Sequence, residues 1–124
     1  MYNIQKALIT GITGFVGSHL ADYLLDKDVE VFGLTRWRSP KENIQHCLEN
    51  PKLHLLQGDL LDSHSLRNVL LASMPDVIFH LAAQSYVSYS FEAPASTLDV
   101  NVVGTCNLLE TVRSLRTVAY DPII

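Results

Sequence analysis

Three glycines, Gly11, Gly14 and Gly17, stand three residues apart directly after the apolar run Ala7-Leu8-Ile9. They open a stretch whose apolar residues, Val16, Leu20, Tyr23 and Leu24, recur at helical spacing over 15–25. A strand, a glycine-rich turn and a helix in that order make a seat for a pyrophosphate. The first glycine permits the tight turn, the second lets backbone approach phosphate, and the third lets helix and strand pack closely. The amides at the helix start point at the anion, and the helix dipole favours its charge. A lone glycine triad is a weak signal, and the elements around this one are what give it weight.

The rest of the chain repeats the same alternation. Apolar runs predict strands over 4–10, 29–34, 53–57 and 77–81. Helices are expected over 15–25, 41–49 and 63–73, the last capped by Asp62-Ser63. A polar loop is expected over 84–93, then a helix over 94–115, and Asp121-Pro122-Ile123-Ile124 reads as the opening of a fifth strand. Near-continuous apolar strands alternating with helices imply a parallel sheet covered on both faces. The expected fold class is therefore α/β, a Rossmann-type doubly wound parallel sheet. Right-handed crossovers give it the order 3-2-1-4-5, with the chain stopping at the start of the fifth strand. The 124 residues suffice for one such domain, 1–124, and not for two.

Charge and composition narrow the function. Nine basic against thirteen acidic residues leave a net charge of −4, which disfavours nucleic acid as a partner. No apolar run is long enough to span a membrane, and Met1-Tyr2-Asn3-Ile4-Gln5 lacks the pattern of a signal peptide. Cys47 and Cys106 stand far apart with no Cys-x-x-Cys, as reduced thiols of a cytoplasmic protein do. His19, His46, His54, His64 and His80 show no metal-ligand spacing, so no metal is expected.

The cofactor reading turns on the second strand. It ends Leu34-Thr35-Arg36-Trp37-Arg38, without the acid that accepts ribose hydroxyls in NAD-binding members of this architecture. Arg36 is the natural partner for a 2′-phosphate, because guanidinium binds phosphate bidentately, so NADP is expected over NAD. Trp37 or the plane of Arg36 would stack near the adenine; the alternative is that Arg36 and Arg38 are solvated loop charges. Asp59, in Gly58-Asp59-Leu60, is a candidate acceptor for the adenine amino group with Leu60 covering the ring, or else a turn-forming acid. Leu81-Ala82-Ala83 ends the fourth strand with small residues, which either admit the nicotinamide half or pack a helix.

Four blocks together resemble the nucleotide-sugar branch of the extended short-chain dehydrogenase/reductase family. They are the Thr10–Gly17 glycine motif, Gly58-Asp59-Leu60, His80-Leu81-Ala82-Ala83 and Asn101-Val102-Val103-Gly104-Thr105. Within that branch, Leu81-Ala82-Ala83-Gln84-Ser85, Ser90-Phe91-Glu92-Ala93-Pro94 and Arg36 are similar to the GDP-mannose 4,6-dehydratases, which are lyases of nucleotide-sugar metabolism. Ser96 and Asn101 depart from residues common in those dehydratases. The resemblance implies NADP in the cleft and conversion of GDP-mannose to GDP-4-keto-6-deoxymannose in the intact enzyme, expected to be a homo-oligomer. It implies that Gly11, Thr13, Gly14, Phe15, Val16 and Gly17 hold the pyrophosphate, and that Arg36 holds the 2′-phosphate. It further implies that Asp59 and Leu60 hold adenine, and that Leu81, Ala82, Ala83 and Ser85 flank nicotinamide and sugar. A GDP-4-keto-6-deoxymannose reductase, an NDP-hexose epimerase and a non-catalytic dinucleotide-binding module share the same blocks.

The family's chemistry uses a Tyr-x-x-x-Lys pair, in which the lysine lowers the phenol pKa so that phenolate acts as base. Two such spacings occur, Tyr2/Lys6 and Tyr23/Lys27. The first flanks the entrance to the first strand, at the edge opposite the glycine loop. Lys27 lies ten residues beyond Gly17, about 15 Å along a helix. Neither is expected to reach a nicotinamide. No catalytic residue is therefore expected in this chain, whose cofactor-binding part would stop before the catalytic segment.

Overall fold

The computed structural model describes residues 3–124. Four parallel strands, β1 (Lys6–Thr10), β2 (Glu30–Thr35), β3 (Leu53–Gln57) and β4 (Val77–His80), form one sheet in the order β3-β2-β1-β4. The helices are α1 (Phe15–Asp26), α2 (Ser63–Ser73), α3 (Val87–Glu92), α4 (Pro94–Leu98) and α5 (Gly104–Leu115). The chain runs outward from β1 to β2 and β3, then crosses back to place β4 on the other side of β1. That reversal opens a crevice above β1 and β4.

The strands are apolar on both faces because each face is covered. Ala7, Ile9 and Val31 point into a core shared with Ala21 and Leu24 of α1. Leu8, Phe32, Leu34 and Ile78 point into a second core with Leu66, Val69 and Leu70 of α2 and Leu108 and Val112 of α5. The register sets Leu8 between Phe32 and Ile78, a continuous apolar row across three strands. The Asp62 carboxylate accepts from the Ser65 amide at 3.0 Å and caps α2, as expected, an interaction worth about 1 kcal/mol.

The fifth position of the sheet is occupied by a bridge. The Ile78 amide donates to the Ile123 carbonyl at 2.7 Å, and the Ile123 amide to the Asp76 carbonyl at 3.0 Å, in parallel sense on the outer edge of β4. Among the described residues no helix is long and apolar enough to cross a membrane.

Three local expectations need correction. The segment expected as a polar loop over 84–93 contains α3, whose residues Val87–Glu92 bury nothing; without a buried face it leaves no helical apolar stripe to read. The helix expected over 94–115 is three pieces, α4, a π-helical turn at Asp99–Val103, and α5. At that turn the Thr105 hydroxyl takes the Asn101 carbonyl at 2.7 Å, and the Asn101 amide group is drawn toward Gln84. The helix expected over 41–49 is a 3₁₀ turn, Glu42–Cys47, which packs Ile44 and Cys47 against α1.

Candidate functional site

The crevice is built first from the glycine loop. Gly11 has φ +74°, and a Cβ there would lie 2.8 Å from the Ala82 nitrogen, so only glycine lets β1 turn this close to the end of β4. The Gly14 amide donates to the Gly11 carbonyl at 3.0 Å and closes the turn. A Cβ on Gly17 would run into that same carbonyl oxygen. Helix α1 has no side-chain cap and no acidic residue in its first turn. Its leading amides are orphans of helix geometry, and no carboxylate of the first turn competes for them. The 3₁₀ turn supports the loop from outside, since the Asn43 side-chain amide donates to the Thr13 carbonyl at 2.9 Å.

The opposite wall hangs on the buried Thr10 hydroxyl. It accepts from the amides of Leu81 (3.0 Å) and Ala82 (3.1 Å). Its own proton therefore goes to Nδ1 of His80, 2.7 Å away, which leaves the neutral imidazole to donate from Nε2 to Thr105 Oγ1 at 2.9 Å. Burial pushes the His80 imidazole below its ordinary value, in keeping with a neutral ring. Beyond Ala83 the Gln84 amide donates to Asn101 Oδ1 at 2.7 Å, and Asn101 Nδ2 returns a bond to the Gln84 carbonyl at 3.0 Å.

Between these walls lies a cleft of about 650 Å³. Gly11, Thr13, Gly14, Phe15, Val16 and Gly17 line one side, Leu81, Ala82, Ala83 and Ser85 the other, and Arg36, Asp59 and Leu60 close the end near β2 and β3. An adjoining hollow of about 600 Å³ shares Arg36 and Asp59 and adds Trp37 and Arg38. Every site residue anticipated from the sequence borders one of the two spaces. Asp59 does serve the turn, with Oδ1 accepting from the Leu61 amide at 2.9 Å. Leu60 is only 6% exposed and packs in the α2–α5 core, its carbonyl held by Asn107 at 2.9 Å. Trp37, by contrast, is 78% exposed.

Sequence reasoning missed Ser39, Tyr89 and Val100. Ser39 lines both spaces and exchanges bonds with Arg36, its hydroxyl accepting from the Arg36 amide at 3.1 Å and its own amide donating to the Arg36 carbonyl at 3.1 Å. A serine three residues past Arg36, before Pro40, was a readable turn signal. Tyr89 and Val100 reach the cleft through α3 and the π turn, whose conformations no periodicity announced. Neither Tyr23 nor Lys27 borders the cleft; the Lys27 ammonium lies 5.6 Å from the Tyr23 ring at the far end of α1. Tyr2 lies outside the described residues.

A doubly wound parallel sheet, a crevice at its point of reversal and an uncapped helix start behind a glycine turn define a Rossmann-type domain. Comparison with known proteins narrows this class. The family model for GDP-mannose 4,6 dehydratase matches residues 8–121, and the chain belongs to that family. It is 43% identical to a GDP-mannose 4,6-dehydratase of Vibrio cholerae over 122 residues, covering 91% of this chain and 32% of the relative. It is 46% identical to GDP-mannose 4,6 dehydratase 1 of Arabidopsis thaliana over 117 residues, covering 87% of this chain and 32% of the relative. The chain thus spans about a third of the length of these curated relatives. Among solved structures, the NAD complex of UDP-glucose 4-epimerase from Thermus thermophilus superposes with a TM-score of 0.77 at 32% identity, over 87% of this chain and 33% of the epimerase.

Proposed function

We propose that the cleft binds NADP and that this chain is the cofactor-binding part of a GDP-mannose 4,6-dehydratase, acting on GDP-mannose in the full-length enzyme. The observation that carries the cofactor reading is Arg36. It stands just past the end of β2 where no acid is present, and it borders both the main cleft and the adjoining hollow. In this reading the amides of Phe15, Val16 and Gly17 take the pyrophosphate, while Arg36, with Arg38 nearby, takes the 2′-phosphate. Asp59 and Trp37 flank the adenine, and Leu81, Ala82, Ala83 and Ser85 border the nicotinamide. Thr13 and Gly14 shape the turn beneath the phosphates. The glycine cradle and the uncapped helix start fit such a group. When bound, the cofactor supplies a hydride acceptor at the open end of the cleft. The chain's own contribution is to bind it, orient it and hold the two walls in place.

Parallel titrations of the 124-residue chain with NADP and NAD test this. Arg36→Ala should weaken NADP by roughly 1.5–3 kcal/mol, about 10- to 150-fold, and leave NAD nearly unchanged. Equal losses for both cofactors, or tighter binding of NAD by the unaltered chain, would overturn the NADP assignment. Because the Tyr23/Lys27 pair sits at the far end of α1 and Lys6 at the start of β1, away from the glycine loop, residues 1–124 alone should form no 4-keto sugar from GDP-mannose. Production of that sugar by the purified chain would refute the division of labour proposed here. A cytoplasmic location and a homo-oligomeric full-length enzyme complete the proposal.

A further inference from the structure

Away from the cleft, three side chains of different chemistry converge. His46 and Cys47 end the 3₁₀ turn, and Asp22 approaches from the middle of α1. A carboxylate oxygen of Asp22, a ring nitrogen of His46 and Cys47 Sγ all lie within 4.8 Å of one another, and Asp22 Oδ1 already meets His46 Nε2 at 2.8 Å. We propose that these three residues bind one divalent cation of the zinc class, at a site separate from the cleft.

The donor set selects the ion. Calcium and magnesium take oxygen ligands, whereas one thiolate, one imidazole and one carboxylate suit zinc, with its open fourth position left to water. Thiolate and carboxylate together balance the dication, so the complex is electroneutral. The geometry needs little adjustment. Zinc–ligand bonds of about 2.0–2.3 Å in tetrahedral array set ligand separations near 3.3–3.6 Å. Asp22 and His46 must therefore part slightly while the sulfur closes in. Asp22 and His46 are solvent-accessible, with side chains 38% and 58% exposed. Cys47 is 7% exposed and forms the floor. On binding, the Cys47 S–H bond gives its proton to solvent and its contact with the Ile44 carbonyl (3.2 Å) is released. The His46 proton moves from Nε2 to Nδ1, so that Nε2 offers a lone pair. Spacing along the chain does not disclose the set, because the third ligand lies twenty-four residues before His46 on another element.

Cobalt(II) is the probe, titrated into the metal-free 124-residue chain. The expected result is one equivalent bound with a thiolate-to-cobalt charge-transfer band, bleached by added zinc. Cys47→Ser should abolish the band. His46→Gln, at an exposed position, should keep the circular dichroism of the parent and weaken binding by about 10- to 100-fold or more. Cys106→Ser should change nothing. A folded parent chain without the band, a band that survives Cys47→Ser, or one that disappears with Cys106→Ser would overturn the site. If Cys47→Ser does not fold, His46→Gln and Asp22→Asn decide: undiminished cobalt affinity in both sinks the proposal.

Discussion

Thr10 and His80 stand directly opposite each other in the parallel register of β1 and β4, and the threonine hydroxyl donates to the imidazole Nδ1 across 2.7 Å. That bond ties the strand carrying the glycine loop to the strand carrying the far wall of the cleft. It also sets the protonation state of the histidine, since the same hydroxyl already accepts two amide bonds.

A pH dependence follows. Burial holds the native His80 pKa below its unfolded value of about 6.5. The unfolded chain then binds the proton more readily. The His80 contribution is present in full above that value, declines as the pH falls through it, and levels once the native imidazole is itself protonated. An NMR titration of the imidazole resonances should place the His80 midpoint below the ordinary histidine value of about 6.5. A midpoint at or above the ordinary value would contradict the neutral ring.

Removing the hydroxyl should be costly. Thr10→Val keeps the shape but leaves the Ala82 amide and the His80 nitrogen without their partner. Each of these half-buried groups loses its partner at a cost of about 1 kcal/mol, and urea unfolding should register the loss. Thr10→Ser, which retains the oxygen, should lose less. Equal destabilisation by both variants would mean that the threonine methyl, not the hydroxyl, matters.

Gly17→Ala adds a methyl where the Gly11 carbonyl stands. The glycine loop or α1 must shift, at an expected cost of about 1–3 kcal/mol. Thermal unfolding should fall accordingly, and dinucleotide binding should fall with it. A variant of unchanged stability would show that the helix start is more compliant than its packing implies.

The two cysteines should differ in reactivity. Burial, with the negative charge of Asp22 adding to it, pushes the Cys47 thiol up, whereas Cys106 is exposed. In the presence of a chelator, iodoacetamide should modify Cys106 well before Cys47, as peptide mapping would show. Faster labelling at Cys47 would count against its burial.

The layered sheet was legible in the sequence because burial on both faces makes β1, β2 and β4 nearly unbroken apolar runs. The first turn was legible because two of its three spaced glycines, Gly11 and Gly17, sit where a side chain would strike backbone. The 84–93 segment was opaque for the converse reason: α3 buries no residue, so no face of it carries a pattern. The π turn was opaque because its register depends on Asn101 meeting Gln84, seventeen residues earlier. The Thr10–His80 bond joins residues seventy positions apart, and neither residue type by itself predicts it.

Gly11 and Ala82 approach so closely that the two banks of the cleft meet through main-chain atoms and one hydroxyl. The floor of the cleft is therefore set by peptide geometry and not by the bulk of a side chain. Exchanging Phe15, Val16 or Ser85 would reshape the walls above that floor without moving it, which makes those positions the natural places to retune what the cleft accepts.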